Sequence, residues 1–302
     1  MNMAERLKSC LSRDALNFVL TNRIPRAALT RFAGWFSRIE QPLVRDLSIG
    51  LWRMFSTIDL AEAKKTRFRS LHDCFIRELK DGARPVDMTP GVLVSPCDAI
   101  VGACGRIDGD TLLQAKGMRY TLPELIGDGA LAAHYRDGCF VTLRITASMY
   151  HRFHAPHDCH VERVTYFPGD TWNVNPPALA RVDRLFCRNE RAAITATLAG
   201  SGARITLVPV AAILVACLRL HFLDLLLHAG YRGPHELACD TVLCKGEEMG
   251  WFQHGSTILV LAPRGFSLHP SAAGGRRIRA GEALLCDHGA ACGHPSPGTG
   301  CP

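Results

Sequence analysis

Beyond about residue 90 the chain becomes a succession of short runs that alternate apolar and polar residues and are broken by Gly, Pro and Asp. VTLRIT (141–146) alternates strictly, and residues 194–198 and 204–210 behave similarly. A period of two marks a strand with one buried face, and several such runs between turn residues demand a sheet. Residues 258–261 form an apolar run of strand type, entered through Gly255, Ser256 and Thr257. Upstream the period is helical. Leu29, Phe32, Trp35, Phe36 and Ile39 form one stripe, and Val44, Leu47, Leu51 and Phe55 a second. Phe68, Leu71, Phe75 and Leu79 predict a third helix over 62–80, ended by Gly82 and Pro85. The expected fold class is therefore α+β. A helical portion over residues 1–85 precedes a β-rich body over 86–285, and a Gly- and Pro-rich tail over 286–302 is expected to be disordered. No internal repeat is apparent.

Charge separates the same two parts. Residues 1–69 carry 13 Lys and Arg against 6 Asp and Glu, a net +7, while the remainder carries 22 of each. Arg26, Arg31 and Arg38 interleave the first apolar stripe, and Pro25 suits the first turn of that helix. A basic amphipathic helix bearing Trp and Phe has the composition of an interfacial membrane anchor. The same stripes also suit a helical bundle packed on the body. Nucleic acid is not an expected partner, because no basic and aromatic stacking pattern continues into the body. Glu5 and Asp14 argue against a mitochondrial transit peptide. The most apolar window, 205–227, is interrupted by Arg219, His221 and Asp224, so no spanning helix is expected.

Thirteen cysteines are scattered without a CxxC pair, and no apolar signal sequence begins the chain. Both point to reduced thiols in a cytosolic-type compartment. Cys286, His288, Cys292, His294 and Cys301 crowd the tail, but their spacing fits no zinc motif, and no metal is expected.

Four segments of the body carry candidate chemistry: Ser95-Pro-Cys-Asp98, YHRFHAP (150–156) with His151 and His154, FCRNER (186–191) with Asn189 and Glu190, and the Gly255–Ser256 step. Each alone has a bland reading as a turn, a surface histidine or a hairpin end. Together they supply a carboxylate, an imidazole and a hydroxyl, the parts of an arrangement in which His deprotonates Ser and Asp orients His. Gly255 has no side chain to shield its carbonyl, and the Ser256 hydroxyl lies one residue downstream.

As an ordered set these segments resemble the phosphatidylserine decarboxylases. The matching pieces are LTRFAGW (29–35), FIRELKDGARPVD (75–87), LVSPCDAIVG (93–102), LQAKGMRYTLPELIG (113–127), YHRFHAPHD (150–158), FPGDTWNVNP (167–176), LFCRNER (185–191) and KGEEMGWFQHGST (245–257). The resemblance implies a proenzyme that cleaves itself between Gly255 and Ser256. Ser256 Oγ would attack the Gly255 carbonyl, with His154 as general base and Asp98 orienting it. It further implies a pyruvoyl cofactor made from Ser256, which serves as electron sink while phosphatidylserine loses CO2 to give phosphatidylethanolamine. His151 is then the expected proton donor to the resulting carbanion. A β-chain ending at Gly255 and an α-chain beginning at Ser256 would form a heterodimer, open to further dimerisation. A two-chain lipid stays in the bilayer, which favours the anchor reading of the N-terminus. The expected location is the cytoplasmic face of the inner membrane, on an anionic surface, ahead of the mitochondrial inner membrane.

Several positions depart from the family pattern. Ala99, Cys159, Ala211 and Ala216 stand where glycine is expected, and His254 replaces a leucine beside the scissile bond. Where backbone φ is positive, or a ligand needs close approach, such changes obstruct. They leave open a degenerate relative that binds anionic phospholipid without maturing. A biotinyl or lipoyl carrier would need a lysine at a hairpin tip, and a serine hydrolase would need a GxSxG elbow at Ser256. Neither is present.

Overall fold

The computed structural model describes Phe18 and residues 25–289, apart from 57, 116, 214–216, 229 and 254–255. Ala216, His254, Gly255 and the tail residues Cys292, His294 and Cys301 lie outside the described residues. The helices are α1 (Arg26–Phe36), α2 (Pro42–Phe55), α3 (Leu71–Phe75), α4 (Leu122–Ile126), α5 (Gly129–His134), α6 (Pro176–Leu179) and α7 (Leu185–Arg188). The strands run in order as β1 (Val92–Val94), β2 (Ala99–Arg106), β3 (Thr111–Ala115), β4 (Met118–Thr121), β5 (Cys139–Ile145), β6 (Arg152–His154), β7 (Cys159–Phe167), β8 (Arg191–Leu198) and β9 (Arg204–Val210). They continue as β10 (Leu218–Leu220), β11 (Leu225–Leu227), β12 (Glu236–Leu243), β13 (Glu248–Phe252), β14 (Ser256–Ala262), β15 (Phe266–Leu268), β16 (Arg277–Ile278) and β17 (Ala283–Asp287).

The expected α+β class holds, with sheet dominant. An eight-stranded antiparallel sheet in the order β12-β7-β8-β9-β14-β5-β2-β16 forms the frame. A four-stranded sheet, β11-β10-β13-β6, and a three-stranded one, β1-β17-β15, accompany it. The alternating runs 141–146, 194–198 and 204–210 fall in β5, β8 and β9. The apolar run 258–261 falls in β14, which pairs with β5 on one side and β9 on the other. Because β14 is central and covered on both faces, all seven of its residues are buried. Gly250 in β13 lies so close to the Arg219 carbonyl of β10 that no Cβ fits there.

The first two helical stripes form α1 and α2, with Pro25 at the N-cap of α1 and the Gln41 side chain capping α2. The third does not form a helix over 62–80. Only Leu71–Phe75 is helical, started by Ser70, whose Oγ accepts from the Asp73 amide. The flanks fold back on each other instead: Lys64 N donates to Glu78 O and Lys80 N to Glu62 O, both at 2.9 Å. This return buries Ala63, Phe68 and Cys74 with Ile49, Trp52 and Leu60 in a small second core, which no straight helix would bring together. The body also runs two residues past its expected end, because Cys286 and Asp287 pair in β17. Among the described residues no helix is long and apolar enough to cross a membrane. Nine of the ten cysteines there, all but Cys244, carry free thiols.

Candidate active site

One row of residues crosses five strands of the large sheet. Ile100 faces Arg144, Arg144 faces Thr257, Thr257 faces Val210 and Val210 faces Arg191. One step further toward the same edge lie Asp98 and Ala99, Ile145, Ser256, Ala211 and Glu190. The antiparallel ladder thus gathers at one end of the sheet segments that are up to 158 residues apart, counted from Asp98 to Ser256.

Ser256 opens β14 opposite Ile145 and is fully buried. Its Oγ has no hydrogen-bond partner among the described residues. Such an orphan in a well-packed sheet is uncommon and marks a group held for some other purpose.

Asp98 precedes β2 and is 8% exposed. Arg84 grips it with two bonds, Nε at 2.8 Å and Nη2 at 2.6 Å, and the Ala280 amide adds a third at 2.9 Å. Arg84 also donates to Glu62 at 2.8 Å. His154, on β6, donates from Nδ1 to the Gly246 carbonyl at 2.9 Å, since that oxygen can only accept. This places the proton on Nδ1, and Nε2 receives the Tyr150 hydroxyl at 3.1 Å. Burial holds the His154 imidazole below its ordinary range, against the opposing pull of Glu248 and Asp98. The ring is therefore neutral at neutral pH. The Arg84 guanidinium lies 5.9 Å from the Tyr150 ring centre, so the Asp98 and His154 clusters adjoin.

Asp98 and His154 share no direct hydrogen bond among the described residues, and neither is bonded to Ser256. His154 instead lines a polar cleft of about 500 Å3 with Arg84, Arg152, His221 and Glu248. Arg152 is tied to Glu248 at 2.7 Å and to the Ile76 carbonyl at 2.9 Å. His151 points elsewhere. It is fully buried, its Nδ1 is 2.9 Å from the Met149 carbonyl oxygen, and its ring packs 4.5 Å from Phe75. Phe75 in turn stacks on Trp52 of α2.

Phe75 and Trp52 line a larger cavity of about 770 Å3 between α1, α2 and the end of the sheet. Its wall is apolar, from Phe36, Leu47 and Leu51 to Val174 and Ala212, and Ile145, the ladder partner of Ser256, belongs to it. Asn189 braces the opposite flank: its Oδ1 accepts from the Trp172 amide, and its Nδ2 donates to the Trp172 and Ala211 carbonyls. Glu190 is buried, and burial pushes its carboxyl up to about 7 despite a hydrogen bond from Tyr166 at 2.9 Å.

Ala99, Cys159 and Ala211 all have negative φ, so the missing glycines cause no left-handed strain there. Arg84, Tyr150 and Gly246 were not singled out from the sequence. Each sits inside a matching segment, but what each bonds to depends on the turn that returns it.

A sequence model of the phosphatidylserine decarboxylase family matches residues 71–286. A phosphatidylserine decarboxylase proenzyme of Pasteurella multocida is 34% identical over 275 residues, covering 86% of this chain and 90% of its own. That of Polaromonas naphthalenivorans is 35% identical over 272 residues, covering 86% and 93%. That of Dickeya dadantii is 34% identical over 283 residues, covering 90% and 92%. The protein is thus of the carboxy-lyase class, built on a mostly antiparallel α+β frame with Asp98 and Ser256 at one end of its largest described sheet. The chain belongs to the phosphatidylserine decarboxylase family.

Proposed function

We propose that this chain cleaves itself between Gly255 and Ser256 and then converts phosphatidylserine to phosphatidylethanolamine and CO2. The observation that carries the reading is the Ser256 hydroxyl, buried at the head of β14 with no hydrogen bond from the described residues to consume it. Those features fit the precursor of a pyruvoyl group. When formed, that group supplies the carbonyl that draws electrons from the departing carboxylate.

The chain's own residues do the rest. Attack by Ser256 Oγ on the preceding carbonyl is intramolecular, so positioning supplies several kcal/mol, roughly, without a bound partner. His154, neutral and with its proton fixed on Nδ1, offers Nε2 as the base once Tyr150 yields it. Asp98 favours the imidazolium that results through its nearby charge, and Arg84 holds that carboxylate in place with two hydrogen bonds. His151, packed on a wall residue of the apolar cavity, is the proton donor in decarboxylation. The products are chains of 255 and 47 residues, which remain together as a heterodimer.

The enzyme sits on an anionic membrane surface, at the cytoplasmic face of the inner membrane. Supporting this, α1 and α2 expose Phe32, Trp35, Leu43, Leu47, Leu51 and Met54, all at least half exposed, beside Arg31 and Arg53. A denaturing gel with intact masses tests the central claim. Wild type should yield a fragment beginning at residue 256 and blocked at its N-terminus, and Ser256→Ala a single inactive band. A wild-type chain that stays whole on prolonged incubation supports the non-cleaving relative instead.

A further inference from the structure

Among the described residues, Arg144 is the only charged one that lines the apolar cavity. It stands on β5 opposite Thr257, one ladder step from Ser256, on the sheet face opposite the Ser256 side chain. The guanidinium is half-buried. Among the described residues it has no ion pair and no hydrogen bond, although five donors are available. Other arginines drawn into the interior near the site are engaged: Arg77 by the carbonyls of Cys74, Ser148 and Met149, Arg84 by Asp98 and Glu62, Arg152 by Glu248, Arg191 by the carbonyls of Leu125, Glu124 and Cys187. Burial lowers the Arg144 pKa, but a guanidinium stays charged at any working pH. A lone cation in a cavity lined by Phe36, Trp52, Phe75 and Val174 carries a desolvation penalty that nothing among the described residues offsets.

We infer that Arg144 is the anchor for the phosphodiester of the phospholipid substrate, whose glycerol and acyl portions occupy the apolar cavity. This rests on the decarboxylase reading of the site. A phosphodiester lies between acyl chains and head group, and Arg144 lines the apolar cavity one ladder step from Ser256. The planar fork of Arg suits phosphate oxygens. Pairing with the serine carboxylate instead would stabilise a charge that vanishes as CO2 leaves, and would raise the barrier. The phosphate keeps its charge throughout, so an arginine there aids binding and alignment without that cost.

Short-chain lipids below their micelle concentration remove the contribution of membrane adsorption. Wild type must first release CO2 from dihexanoyl-phosphatidylserine; if it does not, the decarboxylase reading fails, and the inference with it. Given that activity, Arg144→Met should self-cleave as wild type does, since maturation involves no lipid. Its KM for dihexanoyl-phosphatidylserine should rise about tenfold or more with kcat little changed. The deciding measurement is inhibition by dihexanoyl-phosphatidylethanolamine, which keeps the phosphate and lacks the carboxylate. Its Ki should rise by the same factor. An unchanged Ki, or a loss confined to kcat, overturns the assignment. Should Arg144→Met not fold, Arg144→Lys keeps the charge but loses the fork, and its Ki must still rise measurably.

Discussion

Arg84 and Asp98 show why single side chains at this site matter more than surface charges do. Both side chains are nearly buried and doubly bonded, so removing one strands the other. Arg84→Met should lower stability by about 3–5 kcal/mol, read by denaturant unfolding of the Ser256→Ala proenzyme, and should slow maturation of the otherwise wild-type chain. A loss within the range of an exposed pair, below about 1 kcal/mol, would contradict the buried geometry. Glu190 makes a prediction of opposite sign. Its carboxyl titrates near 7 in the fold and near 4.5 when unfolded, so the native state prefers it protonated. That contribution is fully present below pH 4.5 and is lost as pH rises through 7. Glu190→Gln keeps the acceptor for Tyr166 and should be more stable than wild type at pH 8 by on the order of 2 kcal/mol, yet equal at pH 4. Thermal melts at the two pH values decide it. The residue types of the candidate site, Asp98, His151, His154 and Ser256, were legible in the sequence because each stands in a distinctive segment. Their partners were not. Arg144 reads in VTLRIT as the polar member of an alternating strand, and only the seating of α1 and α2 over the sheet end turns its position into a cavity wall.

At the level of elements, period carried most of the reading. β5, β8 and β9 alternate because one face is more apolar than the other, and α1 and α2 follow their stripes. The 62–80 segment failed because apolar spacing of three and four also arises when two arms of a return bury residues from both sides. α2 carries two apolar faces of different use. Trp52 packs inward on Phe75, while Leu43, Leu47, Leu51 and Met54 are at least half exposed. Replacing Leu43 and Met54 with Glu should leave the melting temperature within a degree or two, since surface changes cost about 0.5 kcal/mol or less. The same pair should cut partitioning onto anionic vesicles severalfold, read by sedimentation of the Ser256→Ala proenzyme. Undiminished partitioning would mean that α2 does not face the lipid.

For the molecule as a whole, the proposed scissile step lies at the entrance to a strand whose residues are all buried. Cleavage before Ser256 leaves β14 in the smaller chain, still paired with β5 and β9 of the larger one. Ile258, Leu259, Val260 and Leu261 are fully buried there, and at about 1.5–3 kcal/mol for each large side chain they hold the chains with roughly 6–12 kcal/mol before the ladder hydrogen bonds are counted. β17 adds a second tie, since its partner β1 belongs to the larger chain. The mature protein should therefore elute as one species on size exclusion down to nanomolar concentration, with both chains in constant ratio, and separate only in denaturant. It should also unfold in a single transition. Two chains that part in plain buffer would mean that β14 leaves the sheet on maturation. The site at the sheet end would then not survive its own formation, because Ile145 and Val210 hold their places through the strand that departs.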